Sequence, residues 1–197
     1  MFTGIVAERG VVRRVVAASG GTHLTISGPV TAAGLAVGDS IAINGVCLTA
    51  VVVGTADFEV EAVAETLRLT NLGDLSAGSE VNLERPVSAA GRFDGHFVQG
   101  HVDGVAVVRS VAAEGDARRV WLDPPASLIG YVASKGSVAL DGVSLTVSGI
   151  DESGFEVVLI PHTREVTTFG TLAPGTRINL EVDVLAKYVA RLLEVGT

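Results

Sequence analysis

Apolar and polar residues alternate with a period of two over Phe58-Glu59-Val60-Glu61-Ala62-Val63 and over Ser137-Val138-Ala139-Leu140-Asp141. That period places one face of an extended chain in a core and the other in solvent. Valine-rich runs of the same kind predict strands at 11–16, 24–27, 41–53, 58–63, 81–84, 97–108, 119–122, 138–150, 155–160 and 178–182. Turn residues punctuate them at Ser19-Gly20-Gly21, Asn44-Gly45, Ala77-Gly78, Asp141-Gly142, Ser153-Gly154 and Pro174-Gly175. Short strands at this spacing suit small β-barrels or sandwiches. The charged stretch 111–119 reads as a surface loop. The period turns helical only over 184–195, where Leu185, Val189 and Leu192 fall at i, i+4 and i+7 with Tyr188 and Leu193 flanking. Such a stripe either folds back on its own barrel or packs against copies of itself, and the second reading is preferred. Lys187, Arg191 and Glu194 then fall on or beside the solvent side.

The chain also repeats itself. Shifted by 97, SIAINGVCLTAVV lies on SVALDGVSLTVSG, and about 18 of the 49 pairs from residue 39 to residue 87 are identical. Gly4-Ile5-Val6 aligns more loosely with Gly100-His101-Val102. A unit of this length is a domain rather than a solenoid repeat. We therefore expect two similar barrels, 1–95 with the glycine-rich linker 88–95 at its end and 96–183, followed by a helix over 184–197.

Composition narrows the class. Hydrophobic residues make up 48% and charged residues 18%, which excludes a disordered chain. The apolar runs are too short to span a bilayer, and the N-terminus lacks a secretion signal. A net charge of −8 steers nothing toward a phosphate backbone, so nucleic acid is not an expected partner. Cys47 is the only cysteine, so neither an intrachain disulfide nor a thiolate metal cluster is expected. The expectation is a soluble cytoplasmic protein with no metal, no membrane and no nucleic acid.

The two halves differ at polar positions: Cys47 faces Ser144, Asn44 faces Asp141, Glu65 faces His162, Pro86 faces Asp183 and Ile5 faces His101. Each change alone has a structural reading, since Asn-Gly and Asp-Gly are both hairpin turns and a cysteine packs as a small hydrophobe. Together, His101, Asp141, Ser144, Thr146, His162 and Asp183 make a set of proton-transfer groups and hydroxyls. The first half offers Ser40, Cys47, Thr49, Glu65 and Thr66. Two like-shaped sites with unlike chemistry imply two similar small ligands treated differently.

Met1-Phe-Thr-Gly-Ile-Val, DSIAINGVCLT (39–49), ETLRLTNLG (65–73), VNLER (81–85), GHFVQGHVDG (95–104), KGSVALDGVSLT (135–146), LIPHT (159–163) and NLEVDVLAKYVARLL (179–193) resemble the riboflavin synthases, in order and over the whole chain. The resemblance implies an all-β fold of two six-stranded Greek-key barrels with a C-terminal helix that assembles a homotrimer. It implies dismutation of two molecules of 6,7-dimethyl-8-ribityllumazine to riboflavin and 5-amino-6-ribitylamino-2,4(1H,3H)-pyrimidinedione, with no cofactor. Each barrel would bind one lumazine, and the working site would form between the N-terminal barrel of one subunit and the C-terminal barrel of a neighbour. Association with a lumazine synthase is left open.

Carried over by position, the N-terminal site comprises Gly4, Ile5, Val6, Cys47, Leu48, Thr49, Glu61, Ala62, Val63, Ala64, Glu65 and Thr66. The C-terminal site comprises Gly100, His101, Val102, Lys135, Ser144, Leu145, Thr146, Val158, Leu159, Ile160, Pro161, His162 and Thr163. His101, helped by Thr146, is the expected proton carrier. Ser144 near Asp141, together with Cys47 and Ser40, supplies the candidate nucleophiles. Phe2 is expected against a bound ring. The competing reading is a non-catalytic lumazine-binding antenna protein with the same duplicated barrel.

Overall fold

The computed structural model describes residues 1–195. Twelve strands form two closed antiparallel barrels. The first holds β1 (Glu8–Ala18), β2 (Gly21–Ser27), β3 (Ser40–Ile43), β4 (Val46–Val53), β5 (Asp57–Val63) and β6 (Glu80–Glu84), hydrogen-bonded in the order β1-β2-β5-β4-β3-β6. The second holds β7 (Gly104–Glu114), β8 (Ala117–Asp123), β9 (Ser137–Leu140), β10 (Val143–Ile150), β11 (Phe155–Leu159) and β12 (Arg177–Val182), in the same relative order. Closure leaves no strand edge unpaired around each ring.

The alternation seen in the sequence becomes the barrel interior. Val12, Leu24, Ile26, Ile41, Ile43, Phe58, Val60, Val81 and Leu83 fill the first core, and Val108, Val120, Leu122, Val138, Leu140, Phe155, Val157, Ile178 and Leu180 the second. Curvature enters at four bulges in twin places, at Arg13 and Val51 in one barrel and Arg109 and Ser148 in the other. A bulge adds one residue to one strand and sharpens its bend, as small closed barrels require.

Several sequence-based boundaries change. The runs 41–53 and 138–150 are each a hairpin. Asn44 and Asp141 have φ of 45° and 42°, and Gly45 and Gly142 have 74° and 77°, the two consecutive left-handed residues of a tight primed turn. Residues 97–103 are not part of a strand, since β7 begins at Gly104. Residues 111–119 are not a loop, because β7 and β8 pair through Ala112 with Arg119 and Glu114 with Ala117. Charge at a barrel's outer end hid that pairing. Three short helices, α1 (Pro29–Ala32), α2 (Ala64–Leu69) and α3 (Pro161–Val166), were not foreseen, being too short to show a helical period. The terminal helix α4 (Val184–Val195) starts where expected, and the last two positions of the expected span, 196–197, lie outside the described residues.

The barrels meet about a pseudo-two-fold axis built from turns and asparagines. A Cβ on Gly45 would stand 2.5 Å from the Gly142 amide nitrogen, so the two turns touch backbone to backbone. Asn82 Nδ2 donates to the Asp141 carbonyl (3.0 Å), and its twin Asn179 Nδ2 donates to the Asn44 carbonyl (2.8 Å). Asn179 Oδ1 accepts from the Asn71 amide and Asn82 Oδ1 from the Thr168 amide. Asn71 Nδ2 also donates to Asp141 Oδ1 (2.9 Å). The carboxylate at 141 therefore faces an amide, whereas Asn44 faces the half that carries Thr168.

Candidate ligand sites and swapped arms

Each barrel is entered by an extended arm, and the arms cross. Phe2 and Val98 pair with each other, Phe2 N donating to the Val98 carbonyl at 2.7 Å. Beyond this crossing the N-terminal arm lies on the second barrel, where Ser144 N donates to the Gly4 carbonyl (2.8 Å). The 98–102 arm lies on the first barrel, where Cys47 N donates to the Gly100 carbonyl (2.9 Å). Val6 packs against the second core and Val102 against the first.

This overturns the expected partition. Gly100, His101 and Val102 lie on the first barrel, and Gly4 and Val6 on the second, while Ile5 faces a groove with Ser40. Linear alignment assigned each arm to the barrel that follows it; only the chain crossing shows the exchange.

At the first barrel, two contiguous hollows of about 390 and 190 Å³ share Cys47 and Thr66. Leu48, Thr49, Glu61 and Val63 line one, and Glu65, Gly100, His101 and Val102 line the other. Ala62 points into the core instead, and Ala64 opens α2 in solvent. Thr66 is fixed because its carbonyl accepts the Thr70 hydroxyl at 2.7 Å, as Thr163 accepts Thr167 at 2.6 Å in the other half. Glu65 is turned to Arg68 at 2.6 Å on the helix surface.

The second barrel repeats the arrangement with Ser144, Leu145 and Thr146 on β10, Val158 and Leu159 on β11, Ile160 at the entry to α3, and Pro161, His162 and Thr163 on α3. Lys135 stands in the loop before β9 with φ of 64°. Thr146 and His162 are exposed on the second barrel, whereas His101 lines the first barrel's hollow. Ser40 opens onto a separate groove of about 580 Å³ with Ile5, Glu84, Arg85 and Arg92.

Three expectations change. Asp141 does not assist Ser144: its Oδ1 is engaged by Asn71 and Asn179 in the inter-barrel seam. Burial pushes its carboxyl up to about 7, against the pull of those donors. Phe2 is fully buried with Ala42, Val98 and Ala139 and presents no face to a ligand. The residue beside Ser144 is His96, whose Nδ1 lies 2.7 Å from Ser144 Oγ. Burial lowers the His96 pKa below the ordinary imidazole value, partly offset by the Asp183 charge, and so favours the neutral ring.

Sequence reasoning missed His96 although it opens the GHFVQGH motif. It also missed Glu84 and Glu181, whose signal was their identity in both halves. Glu84 accepts from Thr3 N (2.7 Å), Thr3 Oγ1 (2.9 Å) and Gly4 N (3.0 Å), and Glu181 from Gln99 N (2.7 Å) and Gly100 N (2.9 Å). Desolvation raises both carboxyls, and the amide donors pull them back. Each glutamate clamps one arm. Among the described residues, no three side chains of metal-binding type converge.

Comparison with known proteins accounts for the duplication. The lumazine binding domain family matches residues 3–86 and again 99–183. The chain is 51% identical over 197 residues to the riboflavin synthases of Mycobacterium bovis and Mycobacterium tuberculosis, covering 98% of each chain. It is 42% identical over 193 residues to that of Bacillus subtilis, covering 98% of this chain and 90% of the relative. Among solved structures, LumP complexed with riboflavin superposes with a TM-score of 0.86 at 25% identity, over 92% of this chain and 99% of that one. LumP complexed with 6,7-dimethyl-8-(1'-D-ribityl) lumazine gives 0.83 at 24% identity, a likeness of fold. With two lumazine-binding domains and full-length similarity to these enzymes, the chain belongs to the riboflavin synthase family.

Proposed function

We propose that each crossed arm closes one lumazine site, and that the two sites serve as the donor and acceptor halves of one reaction. As a member of its family the chain is an enzyme that moves a four-carbon unit between two molecules of 6,7-dimethyl-8-ribityllumazine. One becomes riboflavin and the other 5-amino-6-ribitylamino-2,4(1H,3H)-pyrimidinedione. The observation that carries the reading is the pair of equivalent arm–hairpin sites with unequal chemistry, a thiol at Cys47 in one and the Ser144–His96 pair in the other.

In the first site, the β4 and β5 backbone with Leu48, Thr49, Glu61, Val63 and Thr66 would read the ring and the ribityl chain. His101 stands over that hollow on the arm and would carry the proton that leaves the lumazine methyl group. In the second site, neutral His96 can accept the Ser144 hydroxyl proton, so Ser144 would add to the electron-poor ring carbon. Lys135, Thr146 and 158–163 would hold that molecule. Ser40 and Cys47 then complete the opposite wall once sites from two subunits face each other. Holding two reactants in register is the larger part of the catalysis, worth on the order of 7–11 kcal/mol.

Assembly follows from α4. Leu185, Tyr188, Val189 and Leu192 are each more than half exposed, which supports the reading in which the stripe packs against copies of itself. We take the stripe as the contact of a homotrimer whose sites form between subunits, with 1–95, 96–183 and 184–197 as the functional units. Among the described residues no helix is long and apolar enough to cross a membrane, and a cytoplasmic location is in keeping with small-molecule biosynthesis.

The test is direct. Incubated with the lumazine alone, the protein should form riboflavin and the pyrimidinedione one for one while two lumazines disappear. Stoichiometric binding without product would make it an antenna protein. Leu192→Glu is expected to give a monomer by light scattering and to abolish turnover, while leaving lumazine binding to single barrels measurable. His96→Gln should lower turnover about a hundredfold, a typical contribution for a positioned general base. In the parent enzyme, lowering the pH through the depressed His96 pKa should charge the imidazole and reduce turnover. A parent pH profile without that acid limb would remove His96 from the reaction.

A further inference from the structure

Asp103 ends the arm that carries His101 and Val102, and both of its carboxylate oxygens are engaged. Oδ2 accepts from Val182 N at 2.9 Å, and Oδ1 lies 2.7 Å from Lys187 Nζ on α4. The Asp103 side chain is 19% exposed and that of Lys187 30%, so solvent screens this pair less than an ordinary surface bridge. One residue before Val182, Glu181 holds Gln99 N and Gly100 N. The arm is thus fixed by two carboxylates to the strand end from which α4 departs.

The other half shows which part of this is fold and which is addition. Ala7 N donates to the Leu83 carbonyl as Asp103 N donates to the Leu180 carbonyl, both at 2.9 Å, so Ala7 is the twin of Asp103. Glu84 clamps its own arm just as Glu181 does. The ionic link, however, exists only where the chain runs on into α4; after β6 the chain continues as Arg85-Pro86. Lys187, expected on or beside the solvent side of α4, reaches back to the arm.

We propose that Asp103 and Lys187 are positioning residues that couple the seat of the terminal helix to the arm closing the first barrel's lumazine site. The inference rests on the reading that residues 100–102 contact the ligand.

Asp103→Asn retains an oxygen for Val182 N and removes only the charge, and Lys187→Met keeps the stem. Each is expected to raise KM for the lumazine about five- to tenfold with trimer mass unchanged, the size of one partly buried ion pair. The double variant should be no worse than either single one, because both remove the same contact, and Lys187→Arg should restore the parent KM. A parent KM in Asp103→Asn, or single effects that add in the double variant, would overturn the coupling. Val102→Ala separates the two layers of the argument. If it raises KM while Asp103→Asn does not, the coupling alone fails. If neither changes KM, the placement of ligand under the arm fails with it.

Discussion

Replacing Gly100 by alanine should lower kcat/KM by at least about two orders of magnitude in a protein that still folds. Gly100 has φ of 79°, a region that costs an L-residue roughly 1–2 kcal/mol. The added Cβ would also meet Cys47 Cβ at 2.6 Å and its amide nitrogen at 2.8 Å. No rotamer relieves a contact with backbone, so the arm must lift. That breaks the 2.9 Å bond from Cys47 N to the Gly100 carbonyl and loosens the Glu181 clamp. His101 and Val102 move with it, and a displacement near 1 Å costs about a hundredfold when reactants must be held in register. Gly4→Ala should fail in the same way at the second barrel, where the Cβ would stand 2.6 Å from Ser144 Cβ. Gly78→Ala is the control, having φ of 94° with nothing within 4 Å; it should cost stability but not turnover. Parent-like kinetics in Gly100→Ala would show that the arm does not shape the site.

Asn179→Ala should separate the barrels. It removes donors to the Asn44 carbonyl and to Asn71 Oδ1 and the acceptor for Asn71 N, all in a buried seam. Each group left unsatisfied costs about 1–3 kcal/mol, so we expect a loss of about 3–5 kcal/mol and two resolved thermal transitions in place of one. A single transition within 2–3 °C of the parent, on the scale of about 2–4 °C per kcal/mol, would show that the seam contributes little.

Asp141 makes the same seam pH-dependent. Its folded pKa, raised by desolvation to about 7, lies above the 3.8 of an unperturbed carboxyl. Between those values the folded chain keeps a proton that the unfolded chain has released. The stability tied to that proton is complete below the unfolded pKa and is lost as pH rises through about 7. Asp141→Asn copies the Asn44 twin, keeps an oxygen for Asn179 N and Asn71 Nδ2, and should flatten this slope. A gain on the order of 4 kcal/mol at pH 8 with turnover retained is expected. Turnover lost at undiminished stability would return Asp141 to the reacting groups.

Ten strand runs, the duplication and the terminal helix were legible because each rests on local information; the structure splits two of those runs into hairpins. Period-two alternation fixes which residues face a core, Asn44-Gly45 and Asp141-Gly142 demand left-handed turns, and a 97-residue shift exposes two copies of one unit. Most candidate ligand-site positions came from the resemblance of motifs that stay contiguous, such as Cys47-Leu48-Thr49 and Ser144-Leu145-Thr146. The arms could not be assigned that way. Gly4 and Gly100 read alike in sequence, and only the Phe2–Val98 crossing sends each to the other barrel. His96 beside Ser144, Asp141 turned into the seam and Lys187 on Asp103 are contacts between residues 48, 38 to 70 and 84 positions apart. Pattern and propensity act over a few residues, so the sequence by itself determined the strands, the duplication and the terminal helix, while the kind of ligand came from the family resemblance of whole motifs. Which groups meet at each site depends on how the closed barrels pack across their axis, and that only the tertiary structure decided.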